Sequence, residues 1–405
     1  MVAEVTRAQV VAFRLAAHRL GERAAAPELL DVAGRCAVQD TPPGSALLAL
    51  HARVRGVTRE EVGCALAETR TLLRTWSLRG APFVVPTADA SVFTTGVLPP
   101  TEKATRNFLP GLDAAVSQLG IGAIEAVDLT EAQIGPALAG RQLAIEELGA
   151  ELAQRIAPEL SGETRLLWEG EGPYRPSQPF GEAVVHFCLR ILALRGVVCF
   201  AARVGRTAPF VLVSEWLGDR AAALDPALDP AAGAAAARAE LVRRYLRCYG
   251  PSDRRRFAAW VGISPGDASA WWCLIEDELT PVEFDGRSWL LTEDVEALHS
   301  AQLPRGVRLL PPHDPYTQLR DRATIVGREF QRDVWRRVGD PGTVLADGEV
   351  VGTWRPRTSN RRLTFRVTTF RPLSDAIRES VRGEAAGLAA LRGATSVDVE
   401  FGDWK

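Results

Sequence analysis

Cysteine, histidine and lysine are all scarce in this sequence. None of the cysteines forms a C-x-x-C pair, so the spacing typical of a structural zinc site or a disulfide framework is missing. The histidines are spread over the whole chain and indicate no metal cluster. We therefore expect neither a metal nor a cofactor. The six cysteines are Cys36, Cys64, Cys188, Cys199, Cys248 and Cys273. The five histidines are His18, His51, His186, His299 and His313.

The common catalytic signatures are also missing from the sequence. It contains no G-x-x-x-x-G-K-[ST] phosphate loop, no G-x-S-x-G nucleophile elbow and no H-E-x-x-H zinc pair. The Gly120-Ile121-Gly122 segment lacks the third glycine and the preceding strand of a dinucleotide site. These absences exclude the most easily recognised nucleotide-binding, hydrolase and metalloprotease classes.

No apolar run approaches the roughly 20 residues that cross a bilayer. The N-terminal stretch also carries arginine and histidine among its apolar residues. We therefore expect a reduced, cytoplasmic protein that does not enter a membrane. We also expect a monomer.

The overall charge gives no sign of a nucleic-acid partner, because 48 Lys+Arg residues oppose 50 Asp+Glu residues. Any basic surface must therefore be local. Only Lys103 and Lys405 are lysines, so the positive charge is almost entirely guanidinium, which suits bidentate phosphate contacts. High-GC codon usage would produce the same enrichment in arginine. Residues 303–392 hold 17 arginines against 10 acidic residues, so the charge is segregated along the chain.

With 405 residues, 46% of them hydrophobic, the chain is long enough for two or more domains. Helical patterns followed by a short β-hairpin recur three times. This order predicts a mainly α fold with β, made of three tandem winged-helix units followed by a C-terminal β-barrel-like domain. The predicted boundaries are 1–100, 101–230 and 235–303 for the winged helices and 304–405 for the last domain. The predicted hairpin strands are Leu72–Leu78 with Phe83–Val85, Val197–Ala202 with Pro209–Val213, and a hairpin over Pro281–Leu291.

Local signals predict where several elements begin and turn. Thr6 and the Thr58 to Glu61 capping box start helices. Thr41 is the predicted N-cap of a helix that runs through Arg53, with proline at the first helical position. Asp285-Gly286 is a type I′ turn signal. A repeated Asp-Pro and an alanine run, residues 221–240, predict a linker between the second and third units.

The C-terminal region is read as alternating β structure around one helix. The predicted elements are a Thr343–Trp354 hairpin that turns at Asp347-Gly348, an Arg361–Phe370 strand, a Ser374–Leu391 helix and a Val397–Phe401 strand.

Two basic runs are candidate DNA contacts. The first holds Arg254, Arg255 and Arg256, for which a DNA surface and a solvated face paired with acids are equally plausible. The second holds Arg355, Arg357, Arg361 and Arg362, where few acidic residues lie nearby in sequence. The second run favours DNA, since a few phosphate contacts give salt-dependent affinity.

Several strings along the chain resemble one family. They are LLPPHDPY at 309–316, RDR at 320–322, VLADGEVVGTWRPR at 344–357, and QDTPPGSALLALHARV and TWSLRGAP near the N-terminus. Together they resemble the winged-helix DNA glycosylases of the AlkZ type, enzymes of azinomycin self-resistance and interstrand-crosslink unhooking. The resemblance covers essentially the whole chain. It implies excision of bulky or N7-alkylated purines from duplex DNA without metal or cofactor.

The resemblance also implies a catalytic segment. The family motif is Gln, an apolar residue, then Gln or Asp, ahead of the third helix of the first unit. Gln39 falls on the first position by its spacing to the following helix, whereas Asp40 and Thr41 depart from the pattern. Gln39 is the main candidate to orient a water, with Asp40 as a carboxylate one position earlier than usual. The alternative is a helix start in which Asp40 or Thr41 bonds free amides.

Four further positions carry predictions of their own. Arg79, at the first wing, either contacts DNA or forms a structural pair. Trp76 is expected in the core, and Asp314 is expected to initiate a turn. In the Trp271-Trp272 pair, one indole is expected to be partly exposed.

Three classes of function are compatible with these observations. The first is a metal-independent monofunctional DNA glycosylase. The second is a non-catalytic DNA-binding protein of the same architecture, acting as a regulator or lesion sensor. The third is a protein-interaction scaffold, which the slightly acidic total charge leaves open.

Overall fold

The computed structural model describes residues 3–205, 207–223, 230–359 and 361–404. These residues divide into two compact units. The first unit comprises Met1–Val62, Arg243–Phe257 and Ile275–Lys405, and the second comprises Gly63–Val242 and Ala258–Leu274. No helix in the described ranges has an apolar stretch long enough to span a lipid bilayer.

Helices and short strands alternate along the chain. The α-helices are Arg7–Ala17 (α1), Leu29–Gly34 (α2), Ser45–His51 (α3), Arg59–Ala67 (α4), Ala90–Phe93 (α5), Glu102–Phe108 (α6), Pro110–Leu119 (α7), Ala123–Leu138 (α8), Ile145–Ile156 (α9), Gly162–Glu169 (α10), Phe180–Leu194 (α11), Val213–Leu217 (α12), Pro230–Tyr249 (α13), Arg254–Val261 (α14), Pro265–Cys273 (α15), Val295–Ser300 (α16), Gln331–Val334 (α17) and Asp375–Leu391 (α18). The β-strands are Ala3–Glu4 (β1), Val38–Gln39 (β2), Leu72–Trp76 (β3), Pro82–Pro86 (β4), Val198–Phe200 (β5), Phe210–Leu212 (β6), Leu279–Glu283 (β7), Arg287–Leu291 (β8), Val307–Leu310 (β9), Gly342–Ala346 (β10), Glu349–Ser359 (β11), Arg362–Thr369 (β12) and Ser396–Asp403 (β13).

The predicted helix starts and hairpin turns are largely confirmed. Thr6 and Thr58 each exchange hydrogen bonds with the residue three positions later, which closes both capping boxes. Asp285 and Gly286 have φ of 50° and 87°. Asp347 and Gly348 have φ of 49° and 85°. Two consecutive left-handed residues are the signature of the type I′ turn that the Asp-Gly pairs predict.

The predicted role of Thr41 as a helix N-cap is wrong. Helix α3 begins four residues later, at Ser45, and its N-cap is Gly44. Gly44 has a φ of 92°, a left-handed conformation that glycine adopts without steric cost. The Asp-Pro repeat that predicted a linker lies mostly in residues 224–229, outside the described residues, and the alanine run after it belongs to α13.

The first unit contains a five-stranded sheet in the order β13-β12-β11-β10-β9. Strands β9 to β12 pair antiparallel, and β13 pairs parallel to β12 along its whole length, from Ser396 to Asp403. In the part of the chain that the structure describes, β13 and β9 remain the two edges of this sheet. The predicted barrel is therefore not confirmed, because the sheet is open. Helix α18 covers one face of it.

Two buried ion pairs cross the first unit. The Arg53 guanidinium donates to both carboxylate oxygens of Asp314, at 2.8 and 2.6 Å. Arg14 donates to Asp321 at 2.7 Å and to the Gly250 and Pro251 carbonyls. Burial alone would raise the pKa of Asp321, but the adjacent Arg14 guanidinium outweighs it and lowers this pKa. Asp314 also accepts from the Tyr316 amide at 2.9 Å, which confirms its turn role.

The second unit packs helix α11 against both α8 and α9. The Trp168 indole donates to the Ala153 carbonyl at 2.9 Å and lies against Gly181, where an added Cβ would come within 2.2 Å of the ring. Strands β4, β3, β5 and β6 pair antiparallel in that order. Their apolar face holds Trp76, which confirms its predicted core position, with its ring centroid 5.0 Å from that of Phe200.

The prediction that Trp271 or Trp272 is partly exposed is wrong. The two side chains are only 3% and 1% exposed. The Arg238 guanidinium lies 5.0 Å above the Trp271 ring and covers it. Neighbouring positions on a helix point in different directions, so the prediction assumed that only one of the two indoles could be covered.

Replacing Asp314 with asparagine should destabilise the protein strongly. Asp314→Asn keeps the side-chain shape but leaves the Arg53 cation buried without a counter-charge, which typically costs about 3–5 kcal/mol. We expect a lower urea midpoint in equilibrium unfolding. The matched control is Asp31→Asn, which breaks the exposed Asp31–Arg35 pair and should cost at most about 1 kcal/mol. Equal losses in the two variants would contradict a special role for the buried pair.

Candidate active site and DNA interface

Gln39 lies on the short strand β2, directly after α2. The residues before it, Cys36 to Val38, are buried apolar positions, and Gln39 as a whole residue is 7% exposed. Its amide carries both a hydrogen-bond donor and an acceptor, which is the chemistry needed to hold a water in one orientation.

The Asp40 carboxylate caps helix α3 from outside the helix. One carboxylate oxygen accepts from the Gly44 amide at 2.8 Å and from the Ala46 amide at 3.3 Å. These are backbone donors that a helix start leaves without intrahelical partners. Asp40 as a whole residue is only 2% exposed. Of the two alternatives from the sequence, the helix-start role thus falls to Asp40. The Thr41 hydroxyl is buried and has no hydrogen-bond partner among the described residues.

The segment that carries Gln39 is anchored on its C-terminal side by the core of the first unit. Leu48 of α3 is 3% exposed and packs with Val307, Val344 and Phe365 of the five-stranded sheet. Two residues after α3, Arg53 forms the buried pair with Asp314. The helix that follows Gln39 therefore has little freedom to shift against this sheet.

The basic hairpin, strands β11 and β12, extends beyond the covered part of its sheet. Residues 355–359 are exposed on both faces. Arg355 lies opposite Arg366, and Arg357 lies opposite Thr364. Like charges on opposing strands repel, so this pairing favours an anionic partner.

Strand β13 compensates part of the charge of this hairpin. Arg362 pairs with Asp398, and Arg366 pairs with Glu400 at 3.2 Å. The expectation that the run has little acidic compensation was therefore wrong for Arg362, since its partner lies 36 residues away in sequence. Arg355 donates to the Gly339 carbonyl. No carboxylate in the described residues pairs with Arg357 or Arg361.

The first basic run, on α14, is mostly paired. Arg254 lies 3.5 Å from Glu276, and Arg256 contacts Asp253 and Asp285. Arg255 is exposed, and its guanidinium has no carboxylate partner among the residues described. This face therefore offers one uncommitted cation rather than three.

Arg79 is held by the backbone of the second unit. It has a φ of 56° in the turn between β3 and β4, and its guanidinium donates to the Trp260 carbonyl. Its Cγ also lies close to Gly262, where an added Cβ would approach within 2.9 Å. These contacts supply the structural role that was the alternative to DNA binding.

One cluster was not foreseen from the sequence. His18, Cys36 and Cys248 bring their ligand atoms within 4.8 Å of one another, although they come from three distant segments. Metal-site motifs rely on ligands a few residues apart, so no sequence signal could have joined these three.

Comparisons with known proteins agree with the architecture. The family model described as "DNA glycosylase AlkZ-like" matches residues 32–391. Among solved structures, the Streptomyces sahachiroi DNA glycosylase AlkZ matches with a TM-score of 0.73 and 25% sequence identity, covering 98% of this chain and 100% of that chain. No curated protein sequence matches the chain.

These findings define the protein as a DNA glycosylase, an enzyme of DNA repair that acts on DNA. The match over residues 32–391 shows that the chain belongs to the AlkZ-like DNA glycosylase family.

Two substitutions at Asp40 should separate capping from charge. Asp40→Asn keeps an oxygen that can accept from the Gly44 and Ala46 amides, so stability should change little. Asp40→Ala removes the acceptor and should lower the free energy of unfolding by about 1 kcal/mol. Urea unfolding measures both. If Asp40→Asn unfolds as easily as Asp40→Ala, capping is not the role of this side chain.

Removing the two uncommitted hairpin cations should weaken DNA binding in a salt-dependent way. For the double variant Arg357→Gln and Arg361→Gln, the slope of log affinity against log salt should fall by about 0.9 for each phosphate that the variant no longer neutralises. Fluorescence anisotropy with duplex DNA measures this slope. The control is Arg155→Gln with Arg165→Gln, which changes the net charge equally at exposed paired arginines. Identical slopes in wild type and the hairpin variant would remove the hairpin from the interface.

Proposed function

We propose that this enzyme is a monofunctional glycosylase that excises N7-alkylated or bulky N7-adducted purines from double-stranded DNA by water attack at the sugar. The three helix-and-hairpin regions, 1–100, 101–230 and 235–303, would act as winged helices that hold the duplex. The enzyme would act as a monomer in the cytoplasm. The family membership supports the reaction class, and the position of Gln39 supports the assignment of the residue.

For this reaction the protein mainly needs to position a water and to stabilise the positive charge that develops on the sugar. Alkylation at N7 leaves the purine cationic and makes it a good leaving group. As the glycosidic bond breaks, the sugar gains oxocarbenium character and needs a water held on its opposite face. No metal or cofactor step is required by this scheme.

Gln39 is the residue best suited to hold that water. The observation that carries the assignment is that Gln39 lies directly before Asp40, whose carboxylate holds the start of helix α3, and that Leu48 fixes this helix in the core. Its amide oxygen can accept from the water while the amide nitrogen donates. A rigid support matters because small displacements of a positioned reactant cost large factors in rate.

Asp40 and Thr41 have smaller roles than Gln39 in the proposed reaction. Asp40 already accepts two backbone amides, so it contributes negative charge near the developing oxocarbenium rather than a mobile base. Thr41 is uncharged and short, and occupies the position where the family motif has Gln or Asp. Gln39 is therefore the main residue that positions the water.

Gln39→Ala should abolish base release while leaving the fold intact. With duplex DNA that contains N7-methylguanine or a bulky N7 adduct, alkali-labile abasic sites should form at least about 100-fold more slowly than with wild type. Unfolding midpoints and duplex affinity should be unchanged within error. The control is Gln302→Ala at an exposed position, which should retain full activity.

Two results would contradict this proposal. Base release by Gln39→Ala at the wild-type rate would remove the assigned residue. Salt-sensitive duplex binding by wild type without abasic product on either substrate would instead favour the non-catalytic regulator or lesion sensor.

A further inference from the structure

A cluster of metal-ligand side chains is buried in the first unit, and none of its three residues is assigned to the reaction. His18 is the C-cap of α1, Cys36 lies between α2 and β2, and Cys248 is in the last turn of α13. The three residues are only 1%, 4% and 2% exposed. Their Nδ1 or Nε2 and Sγ atoms all lie within 4.8 Å of one another.

The separation between His18 and Cys36 fits the ligand shell of a single tetrahedral zinc ion. Zinc binds thiolate sulfur at about 2.3 Å and imidazole nitrogen at about 2.1 Å, which places sulfur and nitrogen about 3.6 Å apart. His18 Nδ1 lies 3.7 Å from Cys36 Sγ. The carbonyl oxygen of Arg35 lies 3.6 Å from Cys248 Sγ, so a backbone oxygen is also at hand for a fourth position.

The His18 imidazole makes few contacts that would compete with a metal ion. The Nε2 atom of His18 has no hydrogen-bond partner among the described residues. The other ring nitrogen, Nδ1, contacts the Cys36 sulfur. The ring is enclosed by Tyr249 and Tyr316, whose ring centroids lie 5.1 and 5.5 Å away in edge-on geometry. Because the two nitrogens of one imidazole cannot bind the same ion, Nδ1 is the atom that would face the metal.

Charge balance also favours a divalent cation. Two thiolates and one neutral imidazole carry two negative charges, which Zn²⁺ neutralises, so the buried site would hold no net charge. Sulfur and imidazole nitrogen are the ligands that zinc prefers, whereas magnesium and calcium require oxygen.

We propose that His18, Cys36 and Cys248 bind one structural zinc ion. On binding, each thiol loses its proton to solvent as its sulfur bonds to the metal, and no oxidation occurs. The ion would join the end of α1, the segment before β2 and the end of α13. Because Cys36 lies three residues before Gln39, it would also fix the N-terminal side of the strand that carries the glutamine.

Metal content tests this proposal without any measurement of catalysis. The full chain is expressed in medium that contains zinc and is purified under reducing conditions. Its zinc content is then measured by inductively coupled plasma mass spectrometry. We expect one zinc per chain. Replacement by Co²⁺ should give the thiolate-to-cobalt charge-transfer absorption in the near ultraviolet, and zinc should raise the unfolding temperature of metal-free protein with increasing concentration.

Matched variants locate the site. Cys36→Ser and Cys248→Ser should lose both the bound zinc and the cobalt absorption, while Cys188→Ser, at another buried cysteine, should keep both. Circular dichroism establishes that each variant is folded. If either ligand variant fails to fold, the metal content and cobalt spectrum of the wild type still show whether the protein binds zinc through thiolate sulfur.

Three outcomes would overturn the proposal. In the first, the folded wild-type protein contains no zinc and takes up none. In the second, both ligand variants fold and still contain zinc. In the third, mass spectrometry of protein kept under reducing conditions finds a Cys36–Cys248 disulfide in place of the metal. None of them bears on base release, so failure here leaves the proposed glycosylase reaction standing.

Discussion

The buried pair between Arg53 and Asp314 is the constraint on which the first unit depends. Both side chains are almost completely excluded from solvent, at 3% and 0% exposure. Neither charge could remain there alone, because an unpaired ion in a protein interior loses its hydration without compensation. Arg53 also donates to the Ala49 carbonyl at the end of α3, and Asp314 organises the turn before Tyr316. A helix from the N-terminal part and a turn from the C-terminal part must therefore fold together, and the catalytic candidate Gln39 lies six residues before that helix.

Arginine serves two purposes in this chain, and its partners distinguish them. Arg14 and Arg53 are buried with carboxylates and hold the fold. On the basic hairpin, by contrast, Arg357 and Arg361 are exposed and have no carboxylate partner in the described residues. A net charge of −2 thus conceals a local cationic surface suited to a polyanion. An overall charge count alone would have argued against DNA.

Local signals in the sequence were reliable where local physics decides the structure. Capping boxes and Asp-Gly turns specify their own geometry within four residues, so Thr6, Thr58, Asp285 and Asp347 could be placed. Contacts between distant segments could not. The Asp398 and Glu400 partners of the hairpin and the meeting of His18 with Cys248 depend on tertiary packing. The open edge of the C-terminal sheet follows from strand order, which no single-sequence pattern records.

The parallel strand β13 has a consequence for how the hairpin arginines meet an anion. Its acids already occupy Arg362 and Arg366, so a phosphate that approaches these arginines must displace a carboxylate before it gains a contact. The exchange reduces the net gain from each such contact. Strand β13 thereby acts as an internal competitor, one that an anionic partner must displace before it reaches these two arginines.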